Sequence, residues 1–346
     1  MRHRFFVPVG ALLVAVVVWL VPVPVAAQAA TAAAKPKAAK TWTPPRTLDG
    51  QPDLQGVWDF RTITPLERPS SLGGKEVLSD EEAATFEAAQ NKSQNRDLVD
   101  PKKGGAGYPA GGVVPYNEFW YDRGDKLTGP KRTSLIVDPA DGRLPPRTPE
   151  GQKRAAARAE ANRANQAGKP RADSYTDRGL GERCIAGFNA GPPMTPAAYN
   201  NNVQIFQTAD DVAILNEMIH SARIVPLNGQ VPASIRQGMG VPRGRWQGDT
   251  LVVESGNFAR ETSLAGSTAN MKLTERFTRT GPDMLLYEFA VDDPTEWTRP
   301  WTAQIHMTKS REPMYEYACH EGNYALAGVL RGARAEEEAA AKKTVK

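Results

Sequence analysis

The chain has 346 residues, of which 40% are hydrophobic, and its 43 Lys and Arg against 39 Asp and Glu leave a formal charge of +4. The length is enough for one large core or two modest ones. The small positive balance is spread among acidic residues, and the one basic cluster, Lys153 to Arg171, is short and Ala-rich. It reads as a solvated helix face, so no nucleic-acid partner is expected.

Arg2, His3 and Arg4 lead into the apolar run Phe5 to Val21, and Pro22 and Pro24 break it before Ala26-Ala27-Gln28-Ala29. A basic start, an apolar stretch of about 7–15 residues and small residues at a cleavage site predict a signal peptide over residues 1–29. Cleavage falls after Ala27 or Ala29. A spanning helix wants about 20 unbroken apolar residues, so no membrane span is expected once the leader is gone. No Cys lies near the site, which excludes a lipid-modified N-terminus, and losing Arg2 and Arg4 lowers the charge to +2. The expected location is periplasmic or extracellular.

Residues 30–41 form an Ala/Lys/Pro tract with nothing to bury, which reads as a flexible spacer. Residues 42–183 read as an irregular N-terminal region with short strands and two helices. Leu54, Trp58 and Phe60 alternate with polar neighbours as a half-buried strand does. Ser79 and Glu82 make a capping box for a helix to about Lys92. Thr133 to Asp138 reads as a short strand. Thr148 as N-cap and Pro149 at the first helical position open a second helix to about Gln166, whose only apolar residues are Ala. With little to bury, it is expected on the surface.

Residues 184–330 carry eight β-type runs: Val203 to Thr208, Val212 to Asn216, Ala222 to Leu227, Thr250 to Glu254, Met271 to Thr280, Met284 to Val291, Thr302 to Thr308 and Pro313 to His320. Turn signals such as Gly281-Pro282-Asp283 separate many of them. Such a meander must close or stack to hide its edges. The expected fold is mainly β, with a C-terminal antiparallel up-and-down barrel of the lipocalin kind, or a strongly curved sheet. Alternation puts Met271, Leu273, Glu275 and Phe277 on one face, and Leu285, Tyr287, Phe289 and Val291 on the apolar face of the next strand. Residues 331–346 form a charged tail, helical or disordered.

The two cysteines, Cys184 and Cys319, are expected to pair as one disulfide in an exported chain. No nucleophile elbow, phosphate loop or zinc helix is present, and Gly179-Leu180-Gly181 lacks the flanking strand and helix of a dinucleotide site. The sequence names no cofactor and assigns no metal site. The candidate acid/base residues are His220, Glu275 and His320, since His exchanges protons near neutral pH. The bland reading of each histidine, and the favoured one, is a hydrogen-bonded structural residue at a strand end. Glu275 reads as either a structural ion pair with Arg260, Arg276 or Arg299, or an acid facing a ligand. The candidate ligand-binding residues are Trp297, Arg299, Trp301 and Asn201: two indoles beside an Arg stack on a sugar or an aromatic ligand, or plug a barrel end, and loop Asn residues read polar ligands.

Pro52-Asp53-Leu54-Gln55-Gly56-Val57-Trp58, Gly181-Glu182-Arg183-Cys184, Tyr199-Asn200-Asn201-Asn202, Arg245-Trp246-Gln247-Gly248-Asp249-Thr250-Leu251-Val252-Val253-Glu254, Trp297 to Trp301 and Tyr317-Ala318-Cys319-His320-Glu321-Gly322-Asn323 carry a resemblance over about Leu48 to Arg334. On these motifs the chain resembles a family of uncharacterised secreted bacterial proteins. The resemblance implies export and brings no activity, cofactor or catalytic residue with it. Gly56-Val57-Trp58 is similar to the Gly-x-Trp strand of lipocalins. The leading expectation is an exported, non-enzymatic β-domain that binds a small apolar, amphipathic or sugar ligand. The alternatives are a secreted hydrolase or isomerase with a His/Glu site, and an envelope scaffold protein. Protein partners are not specified.

Overall fold

The computed structural model describes residues 42–105, 110–111, 116–166, 171–228, 234–259, 264 and 266–344. The leader and the spacer lie outside the described residues. So does Arg260.

Ten strands form one antiparallel sheet: β1 Gly56–Asp59, β2 Ile136–Asp138, β3 Asn202–Gln207, β4 Asp211–Asn216, β5 Ala222–Pro226, β6 Val241–Gln247, β7 Thr250–Gly256, β8 Lys272–Gly281, β9 Met284–Asp292 and β10 Trp301–Lys309. The order across the sheet is β5-β4-β3-β1-β10-β9-β8-β7-β6, with β2 added beside β10. β3–β5 and β6–β10 are two meanders of sequence neighbours. β1 joins them, pairing Trp58 with Val203 on one side and with Lys309 on the other.

The sheet curls into a nearly closed barrel in which β5 and β6 lie side by side without ladder pairing. Gly244 makes this approach possible: a Cβ there would meet Val225 at 2.8 Å and Leu227 at 2.9 Å. The alternation read from the sequence sets the faces, for Met271, Leu273, Glu275, Phe277, Leu285, Tyr287, Phe289 and Val291 are all buried. Inside, Phe277, Tyr287, Phe289 and Trp301 stack in series with centroids 4.9, 5.6 and 5.8 Å apart. Trp58 joins the same core, its indole N–H donating to the Leu54 carbonyl at 2.8 Å.

Three helices pack outside. The capping box at Ser79 starts α1, Asp80–Gln94, and Ala83 and Phe86 of α1 pack with Ile63, Leu78 and Leu127 in a second, smaller core. Thr148 caps α2, Pro149–Gln166, its hydroxyl accepting the Gly151 N–H at 3.0 Å. The helix has no apolar stripe, and it docks by charge. Arg154 and Arg158 reach the fully buried Glu296 in the β9–β10 connection, and Arg147 meets the same carboxylate. Gly151 faces the Glu296 backbone, where a Cβ would come within 2.5 Å of the carbonyl oxygen. The third helix, α3, is Tyr324–Thr344. No described helix is long and apolar enough to cross a membrane.

Two readings of the sequence need correction. Pro313 to His320 is no strand: it runs as irregular chain outside the sheet, Tyr315 is 70% exposed, and the Cys319 N–H turns back to the Tyr317 carbonyl at 2.8 Å. Its alternation has no neighbouring strand to pair with. β6 was not legible, because only Gly244 of its residues is buried and Pro242, Arg243 and Arg245 break the apolar pattern. An edge strand tolerates Pro and charge where a central one does not. Cys184 and Cys319 form the expected disulfide, with Cα atoms 5.8 Å apart, and tie the irregular segment to the loop before β3.

Candidate functional site

The barrel interior holds one ionic cluster. Alternation along β5 turns Arg223 and Val225 inward and Ala222 and Ile224 outward, while β8 brings Glu275 to the same interior. Arg223 Nη1 donates to Glu275 Oε2 at 2.6 Å and Nη2 to Oε1 at 2.9 Å. The Tyr287 hydroxyl from β9 donates to Oε1 at 2.7 Å and accepts the Met194 N–H at 3.1 Å. Burial, reinforced by the Glu275 charge, pushes the Tyr287 phenol well above its usual range. Burial alone lowers the Arg223 guanidinium, but the opposing charge and hydrogen bonds of Glu275 leave it raised.

Glu275 is therefore sealed in by three donors. Its partner is Arg223, which the sequence reading did not name. Arg276 faces outward to Gln247 and Glu288, and Arg299 pairs with Asp138 at the surface. The signal was present in the period of Ala222–Pro226, which puts Arg223 on the face of Val225.

His220 ends a 3-10 turn, Met218–His220, in a left-handed conformation with φ 48, and is partly exposed. His320 is exposed in the irregular segment beside the disulfide. Neither is a hydrogen-bond partner of Glu275, whose oxygens face Arg223 and Tyr287. His306 lies on the outer side of β10, against Gly129, where burial and the nearby Arg132 hold its imidazole below the usual range. Among the described residues, no group of three or more His, Cys, Asp or Glu is gathered to hold a metal.

Trp297 and Trp301 are 3% and 0% exposed, so neither indole presents a face to solvent. Arg147 lies over the Trp297 ring at 4.8 Å. Asn201 is also buried, and its amide is used within the fold: Nδ2 donates to the carbonyls of Asp122 and Ala197, and Oδ1 accepts the Ala197 N–H. Its neighbours have a different place. Asn189 Nδ2 donates to the carbonyls of Tyr199 and Asn200 at 3.0 and 2.9 Å and fixes Asn200 in its left-handed turn, φ 56.

Three neighbouring concavities are lined by the N-terminal region and the loop before β3. One, about 670 Å³, is bounded by Thr62 to Leu66, by Phe86, Gln90 and Gln94 of α1, by Arg96 and Arg123, and by Thr195 to Ala198. Leu135 and Leu264 join Ile63, Pro65 and Leu66 as its apolar lining, beside the glutamines and arginines. Arg123 is anchored there, donating to the Gln94 carbonyl at 2.9 Å and pairing with Glu118 at 3.3 Å. Arg123 also walls a second cleft of about 420 Å³ with Arg61, Tyr121 and Asp122, and the last two continue into a third of about 380 Å³. The segment from Glu118 to Asp125 thus forms a partition shared by neighbouring clefts. Sequence reading passed over it because a loop without periodicity carries no face to read. A cleft of several hundred Å³ with apolar walls and a few placed polar groups is the usual form of a small-molecule site. No family model matches the chain, and no curated protein matches it.

Proposed function

We propose that this is an exported, non-enzymatic binding protein that holds a small apolar or amphipathic molecule in the 670 Å³ cleft across the barrel. The observation that carries the reading is the cleft's mixed lining, with Ile63, Pro65, Leu66, Leu135 and Leu264 beside Gln90, Gln94, Arg96 and Arg123. That mixture suits a ligand with an apolar body and a polar or anionic head. The barrel interior is taken up by aromatic rings and the Arg223–Glu275 pair, which favours a ligand over the barrel rather than within it. The leader-like start and the Cys184–Cys319 disulfide support export. The motif resemblance to secreted bacterial proteins points the same way.

Dodecanoate is a suitable probe, with an acyl chain for the apolar lining and a carboxylate for the guanidinium groups. The native protein is expected to bind it by calorimetry, and Leu66→Asp, at a partly buried cleft position, to weaken binding at least tenfold while the circular dichroism spectrum stays native. Absence of binding at millimolar probe, or equal affinity in the variant, refutes the assignment. N-terminal sequencing of the protein from its native host is expected to begin at Gln28 or Ala30; recovery of Met1 refutes export by cleavage.

A further inference from the structure

The 380 Å³ cleft is lined by Tyr116, Trp120, Tyr121, Asp122, Tyr199, Asn200, Glu217 and Tyr317. It shares no residue with the proposed acyl cleft. We propose that it is a second binding site, for a neutral saccharide.

The lining combines ring faces with short polar groups. Trp120 is 64% exposed and Tyr116 56%, so both rings are open to a ligand. Sugars present one apolar C–H face, which stacks on an indole or phenol ring, and a rim of hydroxyls that need donors and acceptors. The rim groups here are two carboxylates, an amide and the phenols. Burial, together with Tyr317 and Tyr116 nearby, raises the Tyr199 phenol above its usual range.

The walls of the site are fixed by hydrogen bonds from residues around it. Asn201 Nδ2 donates to the Asp122 carbonyl at 2.8 Å, and the Asp122 N–H donates to the Ala198 carbonyl at 2.8 Å. Asn202 Nδ2 donates to Glu217 Oε2 at 2.9 Å, and the Glu217 N–H returns to the Asn202 carbonyl at 2.9 Å. Phe188 packs edge-on against Tyr199 at 5.6 Å. The disulfide two residues beyond Tyr317 fastens that wall to the loop before β3. The run Tyr199-Asn200-Asn201-Asn202 therefore supplies two lining residues, holds the Asp122 backbone and orients the Glu217 carboxylate. A site whose shape is fixed before the ligand arrives loses less entropy on binding.

Charge selects the ligand class. A ring cage with carboxylates also suits a quaternary ammonium, but here Asp122 is paired with Arg61, and the Tyr121 ring already faces Arg123 at 4.4 Å and Arg96 at 5.1 Å. Glu217 on the rim opposes an anion. A neutral polyhydroxyl ligand meets neither objection.

The experiment uses the full exported chain with maltohexaose, cellohexaose and chitotetraose as probes, read by quenching of tryptophan fluorescence and by calorimetry. At least one probe is expected to bind, Trp120→Ala to weaken it at least tenfold with an unchanged melting temperature, and Glu217→Gln to weaken it by a smaller factor. Dodecanoate binding is expected to be unchanged in both variants, which separates this site from the acyl cleft. No response to any of the three at 10 mM overturns the proposal. So does binding of choline chloride in their place, or a Trp120→Ala variant that alters the oligomeric state and leaves saccharide binding intact.

Discussion

Arg223 and Glu275 meet inside the barrel by two parallel hydrogen bonds, 2.6 and 2.9 Å long, from β5 at one end of the strand order and β8, two strands in from the other. β5 and β6 leave a seam without ladder pairing, and this ion pair crosses behind it, linking β5 to β8 from within. Replacing Arg223 by Met strands a carboxylate that is fully buried. Loss of one partner from such a pair costs about 3–5 kcal/mol, while replacing both by apolar residues is near neutral. Urea unfolding is expected to show that loss for Arg223→Met and to show most of it restored in the double variant with Glu275→Leu. A single-variant cost below about 1 kcal/mol, the level of an exposed pair, contradicts the structural role.

The disulfide closes a loop with a sequence separation of 135, and removing a native disulfide costs about 2–5 kcal/mol. The Cys184→Ala/Cys319→Ala variant is expected to melt at a lower temperature than the oxidised protein and to be cut faster within residues 310–344. A melting temperature that is the same with and without reductant contradicts this.

Glu296 gathers Arg147, Arg154 and Arg158 onto one buried carboxylate, and the three arginines are themselves 34–41% exposed. Glu296→Gln removes the charge that docks α2, at a cost of about 1–3 kcal/mol for hydrogen bonds to charged groups. Trypsin is expected to cut after Arg154 or Arg158 markedly faster in the variant while the barrel strands stay protected. Equal cleavage rates show that the helix is held by something else.

Burial and Arg132 depress the imidazole of His306 below its ordinary range near 6.5. Below that range the unfolded chain takes up a proton that the folded chain resists, so stability is fully present above about pH 6.5 and falls with acidification through the folded value. Melting temperatures from pH 8 to pH 5 are expected to decline less steeply for His306→Asn than for the native protein. Parallel curves exclude His306 as a source of the decline.

The fold was legible where a strand has one buried face. Leu273 to Phe277 and Leu285 to Val291 show their period because every second side chain enters the same core. β6 hid because its buried position is a glycine, and Pro313 to His320 misled because alternation by itself does not supply a neighbour. Glu275 is legible as a buried acid, but its partner is Arg223 on the short strand before β6 and not Arg276 or Arg299, which pair on the outside. The clefts were not legible at all. Their walls come from Thr62 to Leu66, α1, Glu118 to Asp125 and the loop before β3, segments that only the folded chain brings side by side.

The place of β1 dictates an order of assembly. Each meander consists of hairpins whose strands follow one another, and such local pairings form early. The seam between β3 and β10 is different, because Trp58 has to find both Val203 and Lys309. During synthesis β1 is made before either partner, and its second edge stays open until β10 has been made. The first strand made is thus closed on both edges only late, and a defect at Gly56–Asp59 splits the cylinder between its two meanders.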